Sequence, residues 1–106
     1  MSTKNIKKSD TLQFLESITG GPISLGKLIE AIRLGEDMTQ PAFAKKLGIS
    51  KSHLNDIEKE RKFISPLRAS RFAKKLGYSE ARFVTLALQG LIDEAGLRFK
   101  VDLQAA

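Results

Sequence analysis

The hexapeptide FAKKLG occurs twice, at Phe43 to Gly48 and at Phe72 to Gly77, and each copy is followed by a large apolar residue and a serine. Every residue in it suits the last turn of a helix. Phe and Leu at i and i+4 share the buried face. The paired lysines lie where the negative end of the helix dipole favours cations, and glycine takes the left-handed position beyond the last turn. The repetition is therefore a stop signal for two short helices and needs no functional explanation. Any difference in function must lie in the residues after each stop.

The helices themselves are legible from capping residues and apolar spacing. Leu25, Leu28, Ile29 and Ile32 fall on one helix face, with Ser24 available as N-cap. A second helix starts after Thr39, tolerates Pro41 in its first turn, and turns Phe43, Ala44 and Leu47 inward. Ser50 caps a third, in which only Leu54 and Ile57 are clearly apolar. Ser65 and Pro66 open a fourth, with Ala69, Phe72, Ala73 and Leu76 facing the core. Ser79 caps a fifth that runs to about Ala95 and is ended by Gly96. Ahead of these, residues 1–23 read as a charged arm with a short helix carrying Leu12, Leu15 and Ile18. Behind them, residues 96–106 change period: Leu97, Phe99, Val101 and Leu103 alternate with Arg98, Lys100 and Asp102, the pattern of a half-buried strand. The expectation is an all-α fold, a five-helix unit over 24–95, with a short C-terminal β-strand that pairs with a symmetry mate or with a different protein; the alternative is a frayed tail whose alternation is accidental.

A chain of 106 residues with no cysteine makes a single small core without disulfides or thiolate metal sites. Neither a signal peptide nor a membrane-spanning run is apparent, so the chain reads as cytoplasmic. The net charge of +6 is concentrated in residues 39–78, which carry ten basic and three acidic side chains. Such a stripe is the footprint of a phosphate-binding surface, or of helix faces kept soluble by lysine. One histidine and no paired carboxylates leave no catalytic constellation, so the chain is not expected to be an enzyme. No cofactor or metal is expected either.

The two stops lead into opposite chemistry. After the first, Lys51, Ser52, Asn55, Asp56 and Lys59 spread over the side of the third helix facing away from Leu54 and Ile57. After the second, the fifth helix carries two adjacent apolar stripes, Phe83, Leu86, Ala87 and Gly90 beside Val84, Leu88 and Leu91. So wide an arc favours a subunit interface. Phe83, Val84, Leu88 and Leu91, with Phe99 and Val101 of the strand, are the expected dimer contacts. The helix, the strand or both could make them.

Thr39 to Glu58, TQPAFAKKLGISKSHLNDIE, closely resembles the helix-turn-helix of the phage-repressor (Xre-type) DNA-binding family, and the resemblance extends from Leu25 to Leu91. It implies a five-helix domain of the lambda-repressor kind whose third helix lies in the DNA major groove. Carried over by position, Ser50, Lys51, Ser52 and Asn55 face base edges. Lysine suits guanine and asparagine suits adenine, although Lys51 could equally meet a phosphate. Gln40 binds a phosphate and orients the reading side chains, and Arg61 and Lys62 are phosphate contacts. His53 and Lys59 flank the reading face toward the phosphates, His53 either as a contact or as packing, while Asp56 is structural unless it accepts from cytosine N4. Arg33 and Glu58 pair between the first and third helices. The family usually has glycine where this chain has Glu60. A left-handed backbone there would cost glutamate about 1 kcal/mol, so either the helix continues through Lys59 and Glu60 or the loop takes another path. The function implied is a transcription regulator, a repressor acting as a homodimer on a palindromic operator. An antitoxin that neutralises a partner toxin and autoregulates its operon is the alternative.

Overall fold

The computed structural model describes residues 23–106. The arm and short helix expected over 1–23 lie outside them, apart from Ile23. Among the described residues there are five helices: α1 (Leu25–Gly35), α2 (Gln40–Leu47), α3 (Lys51–Glu58), α4 (Pro66–Leu76) and α5 (Glu80–Glu94).

One local grammar makes all five. Ser24, Thr39, Ser50, Ser65 and Ser79 each precede a helix, and each side-chain oxygen accepts the backbone N–H three residues on, at 3.0–3.3 Å. One N–H donor that the helix leaves without an internal acceptor is thereby satisfied at every start. Every end is also alike. A residue with positive φ comes next (Asp37, Gly48, Glu60, Gly77 and Gly96), and the N–H after it reaches back into the last turn. Ile49 donates to the Ala44 carbonyl at 3.0 Å and Tyr78 to the Ala73 carbonyl at 2.8 Å. The apolar residue after each FAKKLG is the hydrophobic plug of this motif; Ile49 and Tyr78 both pack, half-buried, on the core. The serine after it then starts the next helix. The octapeptide encodes a whole corner, and the two corners touch: Lys75 of the second donates to the Leu47 carbonyl at the end of α2, 2.9 Å away.

The buried faces of α1 to α4 are the ones their spacing predicts. Leu28, Ile29, Phe43, Leu47, Leu54, Ile57 and Phe83 are all but inaccessible and join one core. Phe83 departs from expectation. The width of the apolar arc assigns it to a subunit interface, yet it is 0% exposed within the single chain, with its ring 5.6 Å from that of Tyr78. Phe83 and Ala87 serve the core, Val84, Leu86, Leu88 and Gly90 are half-buried, and of the two stripes only Leu91 is exposed. α1 and α3 approach closely where α1 has Gly26, whose added Cβ would run into the Ile57 carbonyl.

Two further expectations are corrected. Residues 97–103 form no strand in the single chain. Alternation alone supplies no partner for the backbone, and a side chain takes that place: Gln89 of α5 donates to the Phe99 carbonyl and accepts from the Val101 N–H, both at 2.8 Å. Secondly, α3 ends at Glu58, and Glu60 adopts φ 59°, the conformation that glycine would take there. The turn keeps its path because the Arg61 and Lys62 N–H groups both converge on the Asp56 carbonyl, at 2.8 and 3.3 Å, and glutamate bears the strain.

α1, α2 and α3 meet at one buried carboxylate. Arg33 of α1 grips the Glu58 carboxylate of α3 through Nε at 2.7 Å and Nη2 at 2.9 Å, while Nη1 donates to the Met38 carbonyl at 3.0 Å. Glu58 is 0% exposed. Burial acts to raise its pKa, but hydrogen bonds from Arg33 and Gln40 outweigh it and hold the carboxyl below its ordinary 4.5.

Glu60→Gly relieves the left-handed strain and should stabilise the fold by about 1 kcal/mol in urea titration. Glu58→Ala leaves a buried guanidinium unpaired and should cost about 3–5 kcal/mol. Because the folded carboxyl titrates below the unfolded one, its contribution is complete above the unfolded value and is lost as pH falls through the folded value. Wild-type urea midpoints should therefore drop more steeply below about pH 4.5 than those of Glu58→Gln.

Candidate nucleic-acid interface

α2, the turn Gly48 to Ser50, and α3 form the helix-turn-helix. α3 is held from behind by Leu54, Ile57 and Glu58, which leaves its other side to polar residues. Lys51 and Ser52 are exposed, and His53, Asn55 and Asp56 are half-buried at the margins. Lys59, Arg61 and Lys62 come directly after and are exposed. The structure thus brings Ser50, Lys51, Ser52, Asn55, Lys59, Arg61 and Lys62 onto one short stretch of surface.

Several of these side chains already have a fixed task. The Ser50 hydroxyl oxygen accepts the His53 N–H at 3.0 Å, so what it offers outward is its own O–H. Gln40 sits at the start of α2 and spends its amide nitrogen inside the protein. Nε2 donates to Asn55 Oδ1 at 3.1 Å and to Glu58 Oε1 at 3.0 Å. With Oδ1 engaged, Asn55 presents its NH2 group as donor. This bond ties Gln40 to Asn55, one of the residues it is expected to orient. A phosphate would be left its backbone N–H, in the first turn of α2, where the helix has no acceptor for it.

Asp56 shows why an acid can stand in a basic surface. Its Oδ1 accepts from Arg61 Nε at 3.0 Å, and its carbonyl anchors the turn, which agrees with a structural role. Arg61 keeps its two terminal NH2 groups for other acceptors. His53 is the residue whose surroundings the sequence misses. Its ring meets Arg68 from the first turn of α4, with Nη1 at 3.2 Å from Nδ1 and 3.4 Å from Nε2. No motif spacing points to that pair, because α4 reaches α3 only through the tertiary fold. Burial, followed by the charges of Arg68 and Lys62, holds the imidazole below its ordinary 6.5 against the opposing pull of Asp56.

The expected dimer residues divide. Phe83 is buried, whereas Val84 and Leu88 are half-buried and Leu91 is 43% exposed on α5. Phe99 is 67% exposed and Val101 half-buried on the segment that Gln89 holds beside α5. Leu97 and Leu103 add exposed apolar surface to that segment.

Among the described residues, no three His, Cys, Asp or Glu side chains come together in a way that could hold a metal ion. None of the described helices is long and apolar enough to cross a membrane. A small, mostly apolar cleft is lined by Leu25, Ile57, Phe63, Leu86 and Gly90, with Ser24, Glu60 and Lys62 also on its wall. Searches of curated proteins and of solved structures returned no match. The helix-turn-helix family model matches residues 29–83, just over half of the chain, from within α1 to Phe83 in α5. That span contains α2, the turn, α3 and its Arg33–Glu58 brace. The chain belongs to the phage-repressor (Xre-type) helix-turn-helix family, and is a DNA-binding transcription regulator.

Proposed function

We propose that the protein is a sequence-specific repressor that acts as a homodimer on a palindromic operator, with α3 lying in the major groove. The observation that carries this reading is the Glu58–Gln40–Asn55 chain of hydrogen bonds, which fixes a reading side chain from behind. Ser50, Lys51, Ser52 and Asn55 face base edges. Lys59, Arg61, Lys62 and the Gln40 backbone N–H meet phosphates, which set register without carrying sequence information. Two such helices related by a dyad would engage half-sites about one DNA turn apart.

The second copy is argued from apolar surface. Leu91, Leu97, Phe99 and Leu103 are all exposed on α5 and the segment beside it, which water alone covers poorly. A partner toxin is the competing occupant, in which case the protein is an antitoxin that autoregulates its operon. The exposed apolar C-terminal segment is what favours that second reading.

In vitro selection of bound duplexes, followed by gel shift at near-physiological salt, tests the reading of bases. The wild type should choose a palindromic consensus, and Ser52→Ala/Asn55→Ala should lose about 1–3 kcal/mol of discrimination per lost contact while keeping its affinity for scrambled duplex. Equal wild-type binding to consensus and scrambled duplex would defeat it. For the dimer, Leu91→Ser/Phe99→Ser should sediment as a monomer at concentrations where the wild type is a dimer. If the wild type is itself a monomer and a stoichiometric toxin co-purifies with it, the surface belongs to that toxin.

A further inference from the structure

Arg68 is unlike the other arginines that contact the reading unit. Arg33 and Arg61 each meet a carboxylate. Arg68 lies on α4, is exposed, and among the described residues the only side chain its guanidinium hydrogen-bonds is the His53 ring. An imidazole accepts from a guanidinium only when it is neutral, and burial first, then the cations around this ring, favour that state. A full positive charge is thus held against the first turn of α3 by a partner that does not neutralise it. Lys62 acts on the same ring as a second cation, and Asp56 is the acid that opposes them.

The donors of Arg68 are also suitably divided. Contact with His53 uses Nη1, which leaves Nε and Nη2. In Arg33 that same edge grips both oxygens of Glu58. A phosphate presents an equivalent pair of oxygens. The major groove is about 12 Å wide and a helix with side chains about 10–12 Å across, so a cation one side chain away from α3 falls at the groove's rim, where the phosphates are.

We infer that Arg68 is a further phosphate-contacting residue for DNA, and that His53 is its positioning residue instead of a phosphate ligand. The inference rests on α3 being the element that enters the groove. It extends the phosphate surface from the loop after α3 onto α4, so that two elements grip the backbone.

The test titrates the full chain with selected and scrambled duplexes across a range of salt, using Arg68→Ala, Arg68→Lys, His53→Ala and His53→Gln, with thermal midpoints recorded for each. Arg68→Ala should weaken binding to both duplexes alike, roughly tenfold, and flatten the slope of log K against log salt by about 0.9. Arg68→Lys should keep the slope and lose part of the affinity. His53→Ala should lose less than Arg68→Ala and keep the slope, because the cation remains but is no longer held. His53→Gln, which retains an acceptor, should restore most of that loss. An unchanged slope in Arg68→Ala overturns the proposal. So does a loss confined to the selected duplex, or a His53→Ala slope as flat as that of Arg68→Ala, which would put the phosphate on the histidine. If Arg68→Ala melts below the assay temperature, Arg68→Gln takes its place with the same expectation. Equal wild-type binding to both duplexes would sink the reading of bases, while the slopes would still report on Arg68.

Discussion

The Glu58 carboxylate accepts from Arg33 Nε, Arg33 Nη2 and Gln40 Nε2 without any exposed surface of its own. The orientation of α1, α2 and α3 depends on this point. A buried charge is tolerated only when its lone pairs are engaged, and an ion pair of this kind contributes more to geometry than to net stability. The geometry matters here because α3 has only Leu54 and Ile57 as apolar anchors. Two anchors hold a helix against a core without strongly fixing its rotation. The carboxylate adds a directional constraint, and through Gln40 it passes that constraint to Asn55 on the outer surface.

Helices of eight to fifteen residues are marginal alone, so their boundaries have to be enforced. Hydroxyl caps at every start and left-handed residues at every end do so. Glycine fills the left-handed position three times. Asp37 tolerates it through its short polar side chain, and Glu60 has no such advantage. That the backbone still turns at Glu60 shows that the two N–H groups converging on Asp56 outweigh a local preference of about 1 kcal/mol.

Most of this fold is legible in the sequence because its signals are local. The five caps, the Gly48, Gly77 and Gly96 stops and the buried faces of α1 to α4 are set by residues within a turn of one another. The family motif likewise pairs Arg33 with Glu58. The features that escape the sequence depend on tertiary neighbours. Phe83 and Val84 look alike on a helical wheel, and only the position of Tyr78 and the core decides which one is inside. The alternating 97–103 segment has a strand's period, but period says nothing of a hydrogen-bonding partner, and Gln89 supplies one from a helix. The contact of Arg68 with His53 joins residues from different helices with no motif between them. At Glu60 the side chain's own preference misleads, because hydrogen bonds to Asp56 decide the backbone path.

The two corners written by the repeated octapeptide end in the same way and lead to surfaces of opposite character. Each of those surfaces is fixed by a glutamine amide from its surroundings. Gln40 holds Asn55 on the polar side, and Gln89 holds the backbone at Phe99 and Val101 on the apolar side. An amide suits this work because it donates and accepts in one plane and carries no charge to bias what approaches. A lysine or glutamate at either place would add a charge where the amide adds none. The charges stand beside these amides instead: Lys59, Arg61, Lys62 and Arg68 are all exposed. On both surfaces the group that fixes the geometry is thus uncharged, and the exposed cations of the polar side stand on other residues.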